Sequence, residues 1–352
     1  MRIAIAGAGA AGLSLALHLT RANIPDLWIS LTDRSFEPAS DKTWCFWDEE
    51  SVILPGMVRK EWKVLKIDGP MGSFTQPIRH HTYRMVDSGT FKKLALSELR
   101  DDIELIEAPI TTIDSNADWV FQSVNLPTYP EPYLKQHFLG WEVLMEKPVF
   151  DPEVATIMDF NVDQSHGFAF IYLLPISTTE ALVEYTLFTD AVLEKEVYRD
   201  EIKRYLSSVF PAVGYETIRE EFGVIPMVPG AWTPGDGRIQ NIGGAAGLAK
   251  PSTGYTFARI QRDSSHIAAS LQNGKLVRIP PSGKRKGWMD EMIIRILRED
   301  PSHAVQVFEQ LFRNNGMDLM LRFLDEKTSL AEDLRIMSSV PSWWEFVKRL
   351  RI

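Results

Sequence analysis

The loop Gly7-Ala8-Gly9-Ala10-Ala11-Gly12 constrains this chain more than any other stretch. It follows a short apolar strand, Arg2 to Ala6. It opens a run in which Leu13, Leu15, Ala16, Leu17 and Leu19 form the apolar face of a helix reaching about Asn23. A second strand, Leu27 to Thr32, ends at Asp33. Strand, glycine loop, helix, strand and an acid about 20 positions beyond the last glycine make a dinucleotide-binding unit. Gly7 permits the tight turn, Gly9 lets a pyrophosphate approach the backbone, and Gly12 lets helix pack on strand. The helix start at Ala10 and Ala11 turns free N–H groups and a partial positive charge toward the phosphates. Asp33 can accept hydrogen bonds from a ribose 2′,3′-diol and would repel a 2′-phosphate, so the loop reads for FAD or NAD and against NADP. A glycine-rich turn without a ligand is the competing reading, and the flanking strand, helix and acid speak against it.

Length and charge narrow the rest. At 352 residues the chain has room for two domains, or for one large α/β unit carrying an inserted sheet. A net charge of −9 disfavours nucleic acid as a partner, because a phosphate backbone needs a basic face. The single cysteine, Cys45, excludes internal disulfides and thiolate metal clusters and fits a reducing compartment; no metal site is expected. With a strand beginning at Arg2, no signal peptide is expected. No apolar run approaches the ~20 residues of a spanning helix, so a cytoplasmic location is expected.

Further along, Trp62 to Val86 reads as β structure with turns at Asp68-Gly69-Pro70 and Gly72. Gly89 to Leu99 reads as a helix, Asp118 to Ser123 as a short strand, and the three prolines between Ser123 and Pro132 as a linker. Strands are expected at Gly140–Met145, Phe168–Leu174 and Ala181–Leu187, then a helix at Val192–Val209. The tail from Trp288 is mostly helical with a break at Pro301.

A second glycine element closes the pattern. Ile239–Ile242 reads as a strand running into Gly243-Gly244-Ala245-Ala246-Gly247, then Pro251 and Gly254, with a helix from near Gly254 to about Leu271. FAD proteins of the hydroxylase type carry a strand, Gly-Asp-Ala-Ala, Pro, Gly and a helix. This segment resembles that pattern, with Gly244 where the aspartate would stand. Gly243, Gly244, Gly247, Pro251 and Gly254 are therefore expected on the flavin side, with a helix N-terminus facing the pyrimidine ring. The fold expected is α/β: a Rossmann-like FAD-binding domain of the glutathione-reductase or hydroxylase type, an inserted mainly antiparallel β substrate domain, and a helical C-terminal region. The boundaries expected are 1–60, 83–130 and 225–275 for the first, 61–82 and 131–224 for the second, and 276–352 for the third.

Four segments resemble the lycopene β-cyclases, especially the bacterial type. Lys42-Thr43-Trp44-Cys45-Phe46-Trp47 resembles the family's His-Thr-Trp-Ser-Phe-His. Gln136 to Asp159 is similar to its middle signature, Lys250 to Phe257 (KPSTGYTF) to its Pro-Ser-Thr-Gly-Tyr segment, and Leu321 to Met337 to its C-terminal signature. With the glycine loop, these span nearly the whole chain. Val183-Glu184-Tyr185-Thr186 stands where the family has Glu-Asp-Thr or Glu-Glu-Thr. The resemblance thus implies Glu184 as the catalytic carboxylate, with Tyr185 in place of a second acid. On residues alone, Glu184 reads as a solvated strand position, because Ala181, Val183 and Tyr185 alternate with Leu182, Glu184 and Thr186. The resemblance further implies a hydrophobic polyene substrate, protonation of a terminal double bond, ring closure and proton loss. It also implies reduced FAD and NAD(P)H as electron donor, without net redox change. Trp44, Phe46 and Trp47 are candidates to face the cation, plain core packing being the alternative, and Trp44 is also expected among the cofactor contacts.

Other classes stay open: a flavin monooxygenase or prenyl reductase on the same fold, a flavin or lipid carrier without turnover, and a relative acting on another polyene. The sequence does not give the oligomeric state. A membrane-borne substrate needs a docking surface, and the tail offers one. Ser342 can cap a short helix with Trp343, Phe346, Val347 and Leu350 on one face and Lys348, Arg349 and Arg351 beside it, the pattern of an interfacial helix. An ordinary C-terminal helix packed on the core fits the same residues.

Overall fold

Strand β1 (Arg2–Ala6) is buried on both faces, which suits the middle of a parallel sheet covered by helices. Helix α1 (Ala10–Arg21) returns the chain to β2 (Trp28–Asp33), which pairs parallel with β1 from Arg2 opposite Trp28 to Ala6 opposite Thr32. Then come β3 (Thr43–Asp48), β4 (Val58–Trp62), β5 (Val64–Asp68), β6 (Phe74–Pro77) and β7 (Thr82–Asp87). Helix α2 (Ser88–Ser97) starts where Asp87 accepts the Thr90 N–H at 2.8 Å. Strands β8 (Glu104–Glu107) and β9 (Trp119–Gln122) follow, then β10 (Lys135–Met145), β11 (Val154–Asp159), β12 (Phe168–Pro175) and β13 (Glu180–Thr189). Helix α3 (Lys195–Val209), β14 (Tyr215–Pro226), β15 (Gly235–Asp236) and β16 (Ile239–Asn241) lead into a short 3-10 turn at Gly243–Ala246. The chain ends in α4 (Phe257–Gln272), α5 (Lys284–Glu299), α6 (Pro301–Asn315), α7 (Met317–Leu324) and α8 (Leu330–Ser338). This computed structural model describes residues 1–48, 53–110, 116–124 and 126–340. The tail expected to form an interfacial helix lies outside the described residues.

Three sheets result. The first runs β15-β16-β9-β1-β2-β8 and is parallel except for β15. The second runs β14-β10-β13-β12-β11-β5-β6 and is antiparallel except where β11 meets β5. The third is the small antiparallel sheet β3-β7-β4. Period-two alternation decides the faces of the second sheet. Ala181, Val183, Tyr185 and Leu187 of β13 pack with Tyr198, Ile202 and Leu206 of α3. The opposite face, with Phe168, Phe170, Tyr172 and Leu182, joins a core shared with Trp47, Trp62 and Tyr83 of the small sheet and with Phe308 and Phe312 of α6. Both faces of β13 are therefore packed, and Glu184, only partly exposed, opens onto a cavity and not onto a solvated sheet face.

Two further expectations are corrected. The helix expected from near Gly254 begins at Phe257. Gly254, at φ +74°, instead closes a turn in which its N–H reaches the Lys250 carbonyl at 2.8 Å. No strand is read from the sequence at Tyr215–Pro226, yet β14 pairs along the whole of β10. It is the edge strand of its sheet, and Glu220 and Glu221 interrupt the apolar pattern that marks the other long strands. Pro301 opens α6 at its first turn, where a missing N–H costs nothing, and so marks a boundary between two helices. No described helix is long and apolar enough to cross a membrane.

Candidate active site

The glycine loop is built as its spacing requires. Gly7 turns out of β1 at φ +101°, and a side chain on Gly12 would run into the Gly7 carbonyl oxygen, so helix and turn are in contact. At Gly9 an added Cβ would meet nothing within 4 Å. That open space lies at the start of α1, whose first turn holds no acidic residue. Asp33, at the end of β2, accepts the Ala8 N–H and, at 2.6 Å, the Arg34 N–H, so its carboxylate sits beside the loop. The second glycine element packs against the first, since an added Cβ on Gly243 would come within 2.5 Å of Ala11 Cβ. Gly247 ends the 3-10 turn in the left-handed region at φ +69°, tight against Ala231. Gly244 is exposed. Among these second-element residues, Gly254 lines the cavity described next, and Gly243, Gly244, Gly247 and Pro251 do not.

That cavity, of about 470 Å³, runs from Ala10 at the start of α1 to Glu184 on β13. Its size is ordinary for a small-molecule or cofactor pocket. The small sheet supplies Trp44, Cys45 and Tyr83, and the segment Thr253–Phe257 lines it where α4 begins. Trp44 stacks on Phe257, with ring centroids 5.4 Å apart and planes 18° from parallel. Phe46 and Trp47 are core: Phe46 packs on Phe257, and the Trp47 indole donates to the Leu321 carbonyl at 3.0 Å. Of the three aromatics in that motif, only Trp44 faces the space. The Tyr255 hydroxyl bridges those of Tyr83 and Tyr172, at 3.2 Å each, on the same wall. The segment before α4 is moored from behind. Lys250 bonds Asp290 at 2.6 Å and Glu326 at 2.9 Å, Arg259 also holds Glu326, and Ser252 bonds Asp290, all of them buried or nearly so.

Glu184 projects from the face of β13 that carries Leu182, and Thr186 donates to its Oε1 at 3.0 Å. Burial raises its pKa well above the ordinary carboxylate value, the charge of Glu221 raises it further, and Arg219 opposes both. Glu221 comes from β14. Gly140 of β10 stands opposite Glu184 on one side and opposite Glu221 on the other. Arg219 donates to Glu221 Oε2 at 2.6 Å, to Glu142 at 3.2 Å and to Thr43 at 2.7 Å. Arg59 in turn grips Glu142 at 2.6 and 2.8 Å. Sequence reasoning misses Arg219 and Glu221, since two like-signed neighbours at 220 and 221 look like a solvated edge. The signal that finds them is the register with Gly140. No cluster able to hold a metal ion occurs among the described residues.

A sequence model described as lycopene cyclase protein matches residues 2–349. The chain belongs to the lycopene cyclase family. Within that family it is 25% identical over 376 residues to the lycopene beta-cyclase of Paracoccus sp. (strain N81106 / MBIC 01143), covering 96% of this chain and 94% of the relative. It is 28% identical over 220 residues to the lycopene beta-cyclase of Pantoea ananas, covering 58% of this chain and 56% of the relative. Among solved structures, a geranylgeranyl bacteriochlorophyll reductase-like protein from Thermoplasma acidophilum superposes with TM-score 0.63 at 13% identity, over 99% of this chain and 98% of that one. A flavin-dependent brominase superposes with TM-score 0.61 at 11% identity, again over 99% and 98%. The family member described here therefore has the fold of FAD-dependent oxidoreductases and halogenases, with mixed α/β sheets and a helical C-terminal region.

Proposed function

We propose that this chain is a lycopene β-cyclase that closes β-ionone rings on linear carotenes, lycopene to γ-carotene and β-carotene, by acid–base isomerisation. The observation that carries the reading is a carboxyl, its pKa raised by burial, on the wall of a largely apolar cavity that reaches the glycine loop. Glu184 gives its proton to a terminal double bond, the resulting tertiary cation is attacked by the next double bond along to close a six-membered ring, and loss of a proton from the ring cation leaves the β-ionone ring. Atoms and electrons balance without a redox partner. A polyene filling this largely apolar cavity would displace water that could quench the cation, and the Trp44 ring on its wall can face positive charge.

The residues present fit FAD. The space at Gly9, the N-terminal turn of α1 without acids and the carboxylate of Asp33 suit a pyrophosphate and a ribose diol. Gly7, Gly9, Ala10, Ala11, Gly12 and Asp33 would hold that half of the cofactor, and the segment from Gly254 to the start of α4 would meet the ring. In reduced, anionic form FAD would supply negative charge beside the cation and emerge from the cycle unchanged, with NAD(P)H needed only to reduce it. The substrate class implies contact with a membrane surface.

Anaerobic incubation with lycopene, FAD and either NADPH or dithionite tests the reading. Cyclised product over many turnovers per flavin is expected, and Glu184→Gln should lower turnover by about 10²–10⁴-fold with FAD binding intact. One-to-one consumption of NADPH would instead place the chain with reductases or monooxygenases.

A further inference from the structure

Glu184 has no cation of its own among the described residues, while its neighbours do. Arg59 and Arg219 share Glu142, and Arg219 also binds Glu221 through Oε2. The other Glu221 oxygen, Oε1, is buried and has no hydrogen-bond partner, in a residue only 4% exposed. A buried acceptor without a donor is costly unless a proton is supplied from nearby. The group placed to supply one is the Glu184 carboxyl, which stands across Gly140 from Glu221 and whose pKa Glu221 raises. One strand, β10, separates them, and what closes the gap is the absence of a side chain at Gly140 between them. A Cβ on Gly140 would sit 3.3 Å from Glu184 Cβ, 3.3 Å from Glu221 Cγ and 3.1 Å from Leu182 Cδ1. Gly140 has no positive φ to require glycine, so the need is for room.

We propose that Glu221 is the second carboxylate of the site, a positioning residue that shares one proton with Glu184 across Gly140 and is gripped from behind by Arg219. The proposal rests on the reading of Glu184 as the acid. It supplies from a distant strand the second acid that Tyr185 displaces from the position next to Glu184. Tyr185 itself faces α3 and cannot serve. In the resting site the Glu184 O–H donates to Glu221 Oε1. On protonation of the polyene that O–H bond breaks and a C–H bond forms, leaving the Glu184 carboxylate beside Glu221 and the Arg219 guanidinium. Such a pair is a strong base, and it regains one proton when the ring cation loses one, so the site returns to its starting charge. The other groups facing Glu184 are Tyr172 of β12, Cys45 of β3 and Tyr255 before α4, all neutral as thiol or phenol and all raised by burial. Lys42 also lines the cavity but is turned to the Phe222 carbonyl at 2.9 Å.

The test is the pH dependence of kcat for lycopene cyclisation in the FAD-loaded protein, for the parent, Glu221→Gln and Glu221→Asp. Because the acid works protonated, activity falls as pH rises through the Glu184 pKa. Removing the Glu221 charge lowers that pKa, so in Glu221→Gln the alkaline limb should move down by about one pH unit or more. In Glu221→Asp, which keeps the charge but draws it back, it should move the same way by less. An infrared pH titration of the carboxyl C=O band, without substrate, should show the band that Glu184→Gln deletes shifting in both Glu221 variants. A limb or band unmoved in either folded variant overturns the proposal, and the Asp variant decides alone if the Gln variant does not fold. A parent without cyclised product, or an active Glu184→Gln, would instead sink the reading of Glu184 while the infrared result still judges the pair.

Discussion

Replacing Gly9 with valine separates binding from folding, because the two demands meet at that residue in different ways. Gly9 precedes α1 with φ −87° and ψ −165°, extended backbone open to any residue, and a Cβ there meets nothing within 4 Å. The fold should accept the side chain at a cost of about 1 kcal/mol or less, from a poorer helix start, which lowers Tm by roughly 2–4 °C at most. The same space is where a pyrophosphate would lie against the N–H groups at the start of α1. An isopropyl group that keeps it from two of those donors forfeits about 1.5–3 kcal/mol for each charge-assisted bond. The loss of about 3–6 kcal/mol corresponds to roughly 10²–10⁴-fold in Kd. Flavin-fluorescence titration of the apoprotein and a thermal melt measure both sides. Gly12→Ala is the control: its methyl would meet the Gly7 carbonyl oxygen, so melting itself should fall. Parental FAD affinity in Gly9→Val, or a melt as low as that of Gly12→Ala, would refute the argument.

Three further outcomes are expected. The raised pKa of Glu184, caused by burial and then by Glu221, means that the folded chain holds this proton more tightly than the unfolded one. The resulting stabilisation is complete below the unfolded value of 4.5 and is lost as pH rises through the folded value, so the Tm advantage of Glu184→Gln over the parent should grow with pH; a pH-independent difference in Tm would contradict this. Burial pushes the Cys45 thiol far above its ordinary range, so iodoacetamide at pH 8 should label it only after unfolding, as read by intact mass. A chain ending at Pro341 should sediment less with anionic vesicles than the full chain, with added salt narrowing the gap; equal binding would move the membrane contact elsewhere.

The parts of this fold legible in the sequence are those fixed by backbone chemistry over short spans. Gly7, Gly9, Gly12 and Asp33 announce a strand–helix–strand unit because their spacing answers a local steric need. The segment from Lys250 to Phe257 is legible by likeness, but its helix starts later than expected because Gly254 is spent on a turn. Glu184 is named by likeness alone, and its burial is hidden from the alternation of β13, since the face that looks solvated is roofed by the small sheet. Glu221 leaves no local mark, for its meaning depends on a glycine in another strand.

The mooring of the segment before α4 bears on how such chains can be recombined. Lys250 and Ser252 are tied to Asp290 on α5, and Lys250 and Arg259 to Glu326 beyond α7. A buried ion pair stripped of one partner costs about 3–5 kcal/mol, far more than it contributes when complete. A chimera that imports residues 250–257 from a relative therefore inherits a debt to positions far along the host sequence. The smallest exchangeable unit therefore runs from this segment through the C-terminal helices. Crossovers placed before Ile239 or after Ser338 should yield folded hybrids far more often than any placed between.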